Sequence, residues 1–200
     1  ATHPLIIAFD FNANINWLVC GQVDEDRRRL NVVKSFYVKY DRKLPELVAD
    51  FCQYYAPFPL HEVVFYYDST ALGSNYAVND QDFQWVITHE LQKHGWRVRP
   101  VYIGAPMRHM EKYTLINRGF AGQARLVPYF NEAQNQDLLV SVQTAGVYNG
   151  KKDKRGEKLA ETEEDKLESR TDGSDAFDTL YIGCERFPQQ VFVLRVTGGG

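Results

Sequence analysis

The fold is decided by the stretch LIIAFDF (Leu5–Phe11), a short apolar run that ends on an acid, Asp10. A run of this length is far below the roughly 20 residues of a membrane span, and it is typical of a fully buried strand. Two further strand candidates follow, Ile15–Val23 and Leu30–Lys39, joined by the charged sequence DEDRRR. Such a solvated connection suits an antiparallel hairpin, so we expect the first three strands to form a meander.

Helices and strands alternate after this meander. A helical apolar pattern over Leu44–Phe51 precedes the β-rich run EVVFYY (Glu62–Tyr67), and a second helix over Asp80–His94 precedes a strand over Trp96–Ile103. Right-handed crossovers place the first strand beside the fourth and the fourth beside the fifth, as parallel neighbours. The sequence therefore predicts an α/β fold with a mixed central sheet, three antiparallel meander strands plus parallel strands, flanked by helices.

The second half of the chain is less regular. We expect a partly helical basic segment, a weak strand, a helix and a charge-dense hairpin or mobile loop, in the order Ala105–Gly122, Arg125–Phe130, Glu132–Ala145 and Gly150–Arg170. A last helix is predicted after Asp172 and Gly173, ended by Pro188. No repeat or break in composition divides the chain, so we expect residues 1–200 to form a single domain with an insertion at about residues 150–171.

Composition alone argues against a nucleic-acid partner. The chain has 200 residues, 44% of them hydrophobic, and its 23 basic and 26 acidic side chains give a formal charge of −3. From Lys93 to Arg125, however, seven basic residues face the single acid Glu111, and phosphate contacts need only such a local track. We expect DNA contacts from this track and from the charge-dense insertion, namely Arg97, Arg99, Arg108, Lys112, Lys151, Lys152, Lys154 and Arg155.

Four acids mark the candidate catalytic site. Asp10 and Asp68 lie at the carboxyl ends of neighbouring parallel strands, where open α/β sheets bind their ligands. Asp175 and Asp178 are three apart on the last helix and share one face. No basic residue lies near Asp10 or Asp68 in the sequence, so no neighbour supplies the charge that would offset the repulsion of the four acids, and we expect bound Mg²⁺ or Mn²⁺, two ions in all, to do so. The three cysteines show neither a disulfide framework nor a zinc pattern.

The last helix carries a resemblance to a known family. The segment DGSDAFDTLYIG (Asp172–Gly183) resembles the final motif of the nuclease domain of the large terminase subunit of tailed bacteriophages, within the ribonuclease H-like superfamily. Asp178 matches the second acid of that motif, and Asp175 stands where many members have histidine. Asp10 and Asp68 look like the acids of the first and second motifs. The resemblance spans roughly residues 5–187.

This resemblance implies a metal-dependent endonuclease that cuts double-stranded viral DNA during packaging. It also implies a bacterial cytoplasmic setting, the portal protein and the small terminase subunit as partners, and no membrane. No phosphate-binding loop of the form GxxxxGK[ST] is present, so we expect an ATPase motor domain to precede Ala1. Our hypothesis for the site is that Asp10 bridges two ions, Asp68 and Asp178 complete opposite sides, and Asp175 assists.

Two alternatives stay open at this point. The same acids suit another ribonuclease H-like nuclease, such as a Holliday-junction resolvase or a transposase core. A catalytically inactive module that docks on DNA or on a portal is the non-enzymatic alternative. A phosphatase with an aspartyl nucleophile is disfavoured, because Asn12 stands where the second aspartate is needed.

Overall fold

The computed structural model describes residues 3–12, 15–73, 81–154 and 171–188. Its strands are β1 (Leu5–Phe11), β2 (Ile15–Asp24), β3 (Arg29–Lys39), β4 (Glu62–Tyr67), β5 (Arg97–Tyr102), β6 (Val127–Phe130), β7 (Val147–Tyr148) and β8 (Lys151–Lys152). Its α-helices are α1 (Leu44–Tyr54), α2 (Phe83–Lys93), α3 (His109–Phe120), α4 (Gln136–Thr144) and α5 (Asp172–Arg186). Short 3₁₀ turns cover Ser69–Leu72 and Glu132–Gln134.

Six strands form one mixed sheet in the order β5-β4-β1-β2-β3-β6. The meander β1-β2-β3 is antiparallel, whereas β4 pairs in parallel with β1 and β5 in parallel with β4. The predicted mixed sheet and its parallel neighbours are therefore confirmed. The weak strand β6 closes the opposite edge, where it runs parallel to β3.

Side-chain alternation along the strands builds two apolar layers, one on each face of the sheet. On one face, Phe9 and Phe65 pack against α1 and α2. On the other face, Ala8 and Tyr66 pack against α5, with α3 and α4 outside it. Because Asp10 follows Ala8 by two residues on β1, the same alternation directs its side chain toward α5.

Helix α5 lies unusually close to the sheet. A Cβ built on Gly173 would lie 3.0 Å from the indole of Trp17, and one built on Gly183 would collide with the ring of Tyr66. These two glycines let the helix backbone approach β2 and β4 directly. The approach fixes where the acids of α5 stand relative to β1.

The structure refines two predictions for the last third of the chain. The last helix begins at Asp172, so Asp172 and Gly173 belong to its first turn rather than preceding it. A short hairpin in which β7 pairs with β8 begins at Val147, just before the predicted insertion, and leads into it. Residues 155–170, the rest of that insertion, lie outside the described residues. Of the helices that are described, none combines the length and the apolar character of a membrane span.

Candidate active site

Strand pairing brings the first two predicted acids to adjacent positions. The parallel register of β1 and β4 pairs Leu5 with Val63 and Ile7 with Phe65. Continued by three residues, it places Asp10 beside Asp68 at the carboxyl edge of the sheet. The backbone therefore confirms that the carboxyl ends of β1 and β4 lie side by side.

The first turns of α5 supply three more acids on one face. Asp172, Asp175 and Asp178 follow at intervals of three, and Asp172 and Asp178 expose only 2% and 6% of their surface. Asn12 donates a hydrogen bond from Nδ2 to Oδ1 of Asp172 at 3.2 Å. We call Asp10, Asp172, Asp175 and Asp178 the carboxylate cluster.

The pKa of Asp10 reflects the repulsion between carboxylates of the cluster. Burial raises the pKa of Asp10 well above its usual range, and the nearby carboxylates of Asp175 and Asp172 raise it further. Lys154 and Lys152 act in the opposite direction but more weakly. Asp10 therefore faces the α5 acids closely enough for its own ionisation to be costly.

Lysines from distant parts of the chain compensate the α5 acids. Lys152 of β8 donates from Nζ to Asp175 Oδ1 and to Asp178 Oδ2, both at 2.7 Å. Lys112 of α3 lies 2.9 Å from Asp178 Oδ2, and Lys154 donates to Asp175 Oδ2 at 2.7 Å. The inference that no cation of the protein offsets these acids was therefore wrong, because it considered only neighbours in the sequence.

These ion pairs decide the ionisation of Asp175. Its burial raises the pKa, but the charges of Lys152, Lys154 and Lys112 outweigh burial and hold the pKa well below its usual range. For Lys112, burial lowers the pKa, and Asp178 and Asp175 more than reverse that effect. Asp175 is thus a carboxylate, with its charge matched by ammonium groups.

The carboxylate of Asp68 turns away from the cluster. It accepts hydrogen bonds from the backbone N–H of Thr70 at 2.9 Å and from its hydroxyl, and so caps the 3₁₀ turn that follows β4. It also lines a cavity of about 250 Å³ together with Lys112 and Thr179. Lys112 therefore stands between Asp68 and the α5 acids.

The residues predicted to contact DNA are placed in different surroundings. Arg97 and Arg99 of β5 both lie near Glu62 of β4, at 3.6 Å and 3.2 Å. Lys112 and Lys152 turn inward to the carboxylate cluster, and Lys154 also contacts it. Arg108 and Lys151 are exposed, and Arg155 lies outside the described residues. The basic track is thus divided among separate ion pairs rather than forming one continuous stripe.

Comparison with known proteins identifies the type of fold. No family model and no curated protein matches the sequence. The nuclease domain of the P22 large terminase superposes with a TM-score of 0.56 at 12% identity, over 92% of this chain and 81% of that one. The chain has a ribonuclease H-like fold.

Two other solved structures align less well. One is the K428A mutant gp2c of the large terminase subunit from bacteriophage Sf6 with calcium, at a TM-score of 0.48 and 8% identity, over 90% of this chain and 89% of that one. The other is T. thermophilus RuvC in complex with a Holliday junction substrate, at a TM-score of 0.37 and 12% identity, over 60% of this chain and 78% of that one.

The candidate site has the donor chemistry of a hard divalent cation. Its carboxylates offer oxygen alone, which suits Mg²⁺ or Mn²⁺, and the repulsion at Asp10 is of the kind that such an ion relieves. Within the described ranges, however, no three acidic, histidine or cysteine side chains converge closely enough to hold one ion. The ammonium group of Lys152 lies between Asp175 and Asp178 instead. The residues fit a metal by type, and binding both carboxylates requires Lys152 to withdraw.

Sequence reasoning missed two members of this candidate site. Asp172 was assigned to the connection before α5, although its spacing of three from Asp175 already places it on the same helical face. Its partner Asn12 served only to disfavour an aspartyl phosphatase. For Lys112 and Lys152, the local sequence suggested DNA contacts, and nothing in it indicates their pairing with residues of α5.

Proposed function

We propose that this chain is a metal-dependent endonuclease that cleaves double-stranded DNA by two-metal hydrolysis of a phosphodiester, as the nuclease domain of a phage packaging terminase. The observation that carries the proposal is the carboxylate cluster itself. Asp10 lies near the end of a central strand and faces Asp172 and Asp175 of α5, Asp178 shares Lys152 with Asp175, and Asp68 stands at the adjacent strand end. The portal protein and the small terminase subunit are proposed as partners on the motif resemblance.

Each side chain has a separate task in this proposal. Asp10 and the α5 acids Asp175 and Asp178 hold Mg²⁺ or Mn²⁺, and Asp68 completes the site after a change of side-chain rotamer. When bound, the ions lower the pKa of the attacking water and stabilise the leaving 3′ oxygen. Asp172 holds the side chain of Asn12, the residue that follows β1, and keeps negative charge near Asp10.

The lysines provide the positive charge that a phosphate diester needs. Lys152 and Lys112 now neutralise Asp178, and both are long enough to exchange that carboxylate for a phosphate oxygen when an ion binds. Lys151, which lines a cavity together with Asp178, and the exposed Arg108 supply phosphate contacts. The acids and the lysines thus serve as one charge-balanced unit.

Plasmid cleavage tests the proposal. We expect the purified chain to nick and linearise a supercoiled plasmid in Mg²⁺ or Mn²⁺ and to do nothing in EDTA. Asp10→Asn and Asp178→Asn should each reduce the rate by at least about a hundredfold, the scale seen when a group that stabilises transition-state charge is lost. Asp50→Asn, on the opposite face of the sheet, is the matched control and should cleave normally.

The same assay separates the alternatives. Undiminished metal-dependent cleavage by Asp10→Asn would falsify the assignment of the site. A strong preference for four-way junctions over linear duplex would favour a resolvase. Binding of DNA without cleavage in any divalent metal would favour the inactive docking module.

A further inference from the structure

A cavity of about 130 Å³ opens beside the carboxylate cluster, between α3, α5, the end of α4 and the β7–β8 hairpin. Asp178 and Lys152 belong both to its wall and to the cluster. The space is about ten times what one ordered water requires, so it admits a planar ring. A phosphate held at the cluster therefore has a chamber next to it into which the attached nucleoside can turn.

Apolar and aromatic side chains form the outer wall of this cavity. Met110, Tyr113 and Phe120 line it from α3, and they expose 57%, 51% and 44% of their surface. Phe177 of α5 lies deeper, with its ring 5.9 Å from that of Phe120. Exposed apolar residues gathered around one cavity mark a binding site, whereas isolated ones do not.

The polar groups of the cavity favour one kind of occupant. Lys112, Lys151 and Lys152 line it together with a single carboxylate, Asp178, which already pairs with two of them. Asn117 adds a side-chain amide, whose carbonyl oxygen and second amide hydrogen match the edge of a base. Aromatic faces combined with ammonium groups are the usual receptor for a nucleotide of a single strand.

We propose that this cavity binds a nucleobase that has left the helical stack, next to the phosphate held at the carboxylate cluster. The inference rests on the proposed nuclease function and narrows its substrate. Extrusion costs least for a base that is unpaired or mismatched. The preferred substrate is then DNA with an unpaired base beside the scissile phosphate, with Tyr113 stacking on that base.

Binding to three matched DNA duplexes tests the proposal. The first duplex is fully paired, the second has one unpaired thymidine, and the third has an abasic nucleotide in place of that thymidine. Fluorescence anisotropy is measured in Mg²⁺ with the Asp10→Asn chain, so that cleavage does not interfere. We expect the thymidine duplex to bind about tenfold more tightly than either of the others, which is within the range measured for one stacked base.

Two variants in that background locate the effect. Tyr113→Ala removes the stacking face and Asn117→Trp fills the cavity, and each should abolish the preference for the unpaired base. Both positions are exposed on α3, and thermal unfolding verifies that the variants fold. Tyr54→Ala is the matched control, because Tyr54 is also an exposed helical tyrosine but packs on the opposite face of the sheet. It should keep the full preference.

Equal affinity for the thymidine and abasic duplexes overturns the proposal. A preference for the unpaired base that persists in both α3 variants also overturns the proposal. The cavity would then bind another group, such as an aromatic side chain of a protein partner. The cleavage assay judges the proposed function separately. If the chain prefers the unpaired base but cuts no DNA, this inference stands and the proposed nuclease function fails. If the chain cuts DNA without any base preference, the nuclease function stands and this inference fails.

Discussion

Asp10 carries the charge that the folded chain accommodates least easily. The sheet and α5 bury its carboxylate, which also faces the carboxylates of Asp175 and Asp172, and both effects raise its pKa. A carboxyl group with a raised folded pKa destabilises the fold above its ordinary pKa of 3.8, and the cost grows as pH rises toward the folded value. Each unit of that shift is worth about 1.4 kcal/mol.

We therefore predict that Asp10→Asn stabilises the metal-free chain. The gain should be absent near pH 4 and reach about 1 kcal/mol or more at pH 7, measured by urea unfolding in EDTA. Added Mg²⁺ should stabilise the unaltered chain more than the variant, which keeps Asp175 and Asp178 but lacks one carboxylate of the cluster. A variant that is less stable than the parent at pH 7 would show that Asp10 is well solvated, contrary to the geometry.

Lys152 is the residue on which charge balance in the cluster depends most. It contacts Asp175 and Asp178 at 2.7 Å each, and only 11% of its side chain is exposed. Removing one partner of a buried ion pair leaves an uncompensated charge and costs about 3 kcal/mol. A divalent cation has the charge and the preference for oxygen ligands to replace the lost ammonium group.

Lys152→Ala is accordingly expected to lower the melting temperature in EDTA and to regain most of the loss in Mn²⁺. Its affinity for Mn²⁺, from the dependence of melting temperature on Mn²⁺ concentration, should exceed that of the parent chain. Lys151→Ala changes the exposed neighbour and is the control, with an unaltered melting temperature. Equal Mn²⁺ responses of the parent and Lys152→Ala would mean that Lys152 does not compete with the ion.

At the scale of elements, the close contact between α5 and the sheet positions the acids. Local sequence patterns predicted the strands, the helices and the three-residue spacing of Asp175 and Asp178, because each depends on neighbours within a few residues. The distance between α5 and β1 depends instead on which residues of α5 lack a side chain. Gly173 and Gly183 meet that need against Trp17 and Tyr66.

Gly183→Ala tests this element contact. Alanine favours a helix over glycine by about 1 kcal/mol, but the added methyl group would lie 2.8 Å from Cβ of Tyr66 and would force α5 outward. We expect a net loss of about 2 kcal/mol in unfolding free energy, together with loss of cleavage as the acids move from β1. Gly146→Ala, where the nearest atom lies 3.9 Å away, should change neither.

For the whole molecule, the formal charge of −3 conceals how charge is distributed. Lys93 pairs with Glu90, Arg125 with Glu25, and Arg97 with Glu62, so much of the basic track is neutralised at a distance from the cluster. Lys151 is exposed beside the acids. Local phosphate contacts, rather than net charge, set the salt dependence of DNA binding.

Lys151→Gln should therefore weaken DNA binding and reduce the slope of log affinity against log salt concentration by about 1. Lys93→Gln removes the same charge from the basic track between Lys93 and Arg125, on the far side of the sheet, and should leave the slope unchanged. The slopes come from anisotropy titrations of paired duplex at several salt concentrations. Equal effects of the two variants would show that only total charge matters.

The sequence by itself determined the strand and helix order, the mixed sheet and the acids at the ends of β1, β4 and along α5. These follow from periodicity and from crossover handedness, which act on neighbouring residues and on chain direction. Only the tertiary structure decided that Asp172 joins the cluster, that Asp68 caps its own turn and that Lys112 and Lys152 neutralise Asp178. Charge pairing depends on where the chain returns in space, and α3, the hairpin and α5 meet across separations that no local pattern encodes.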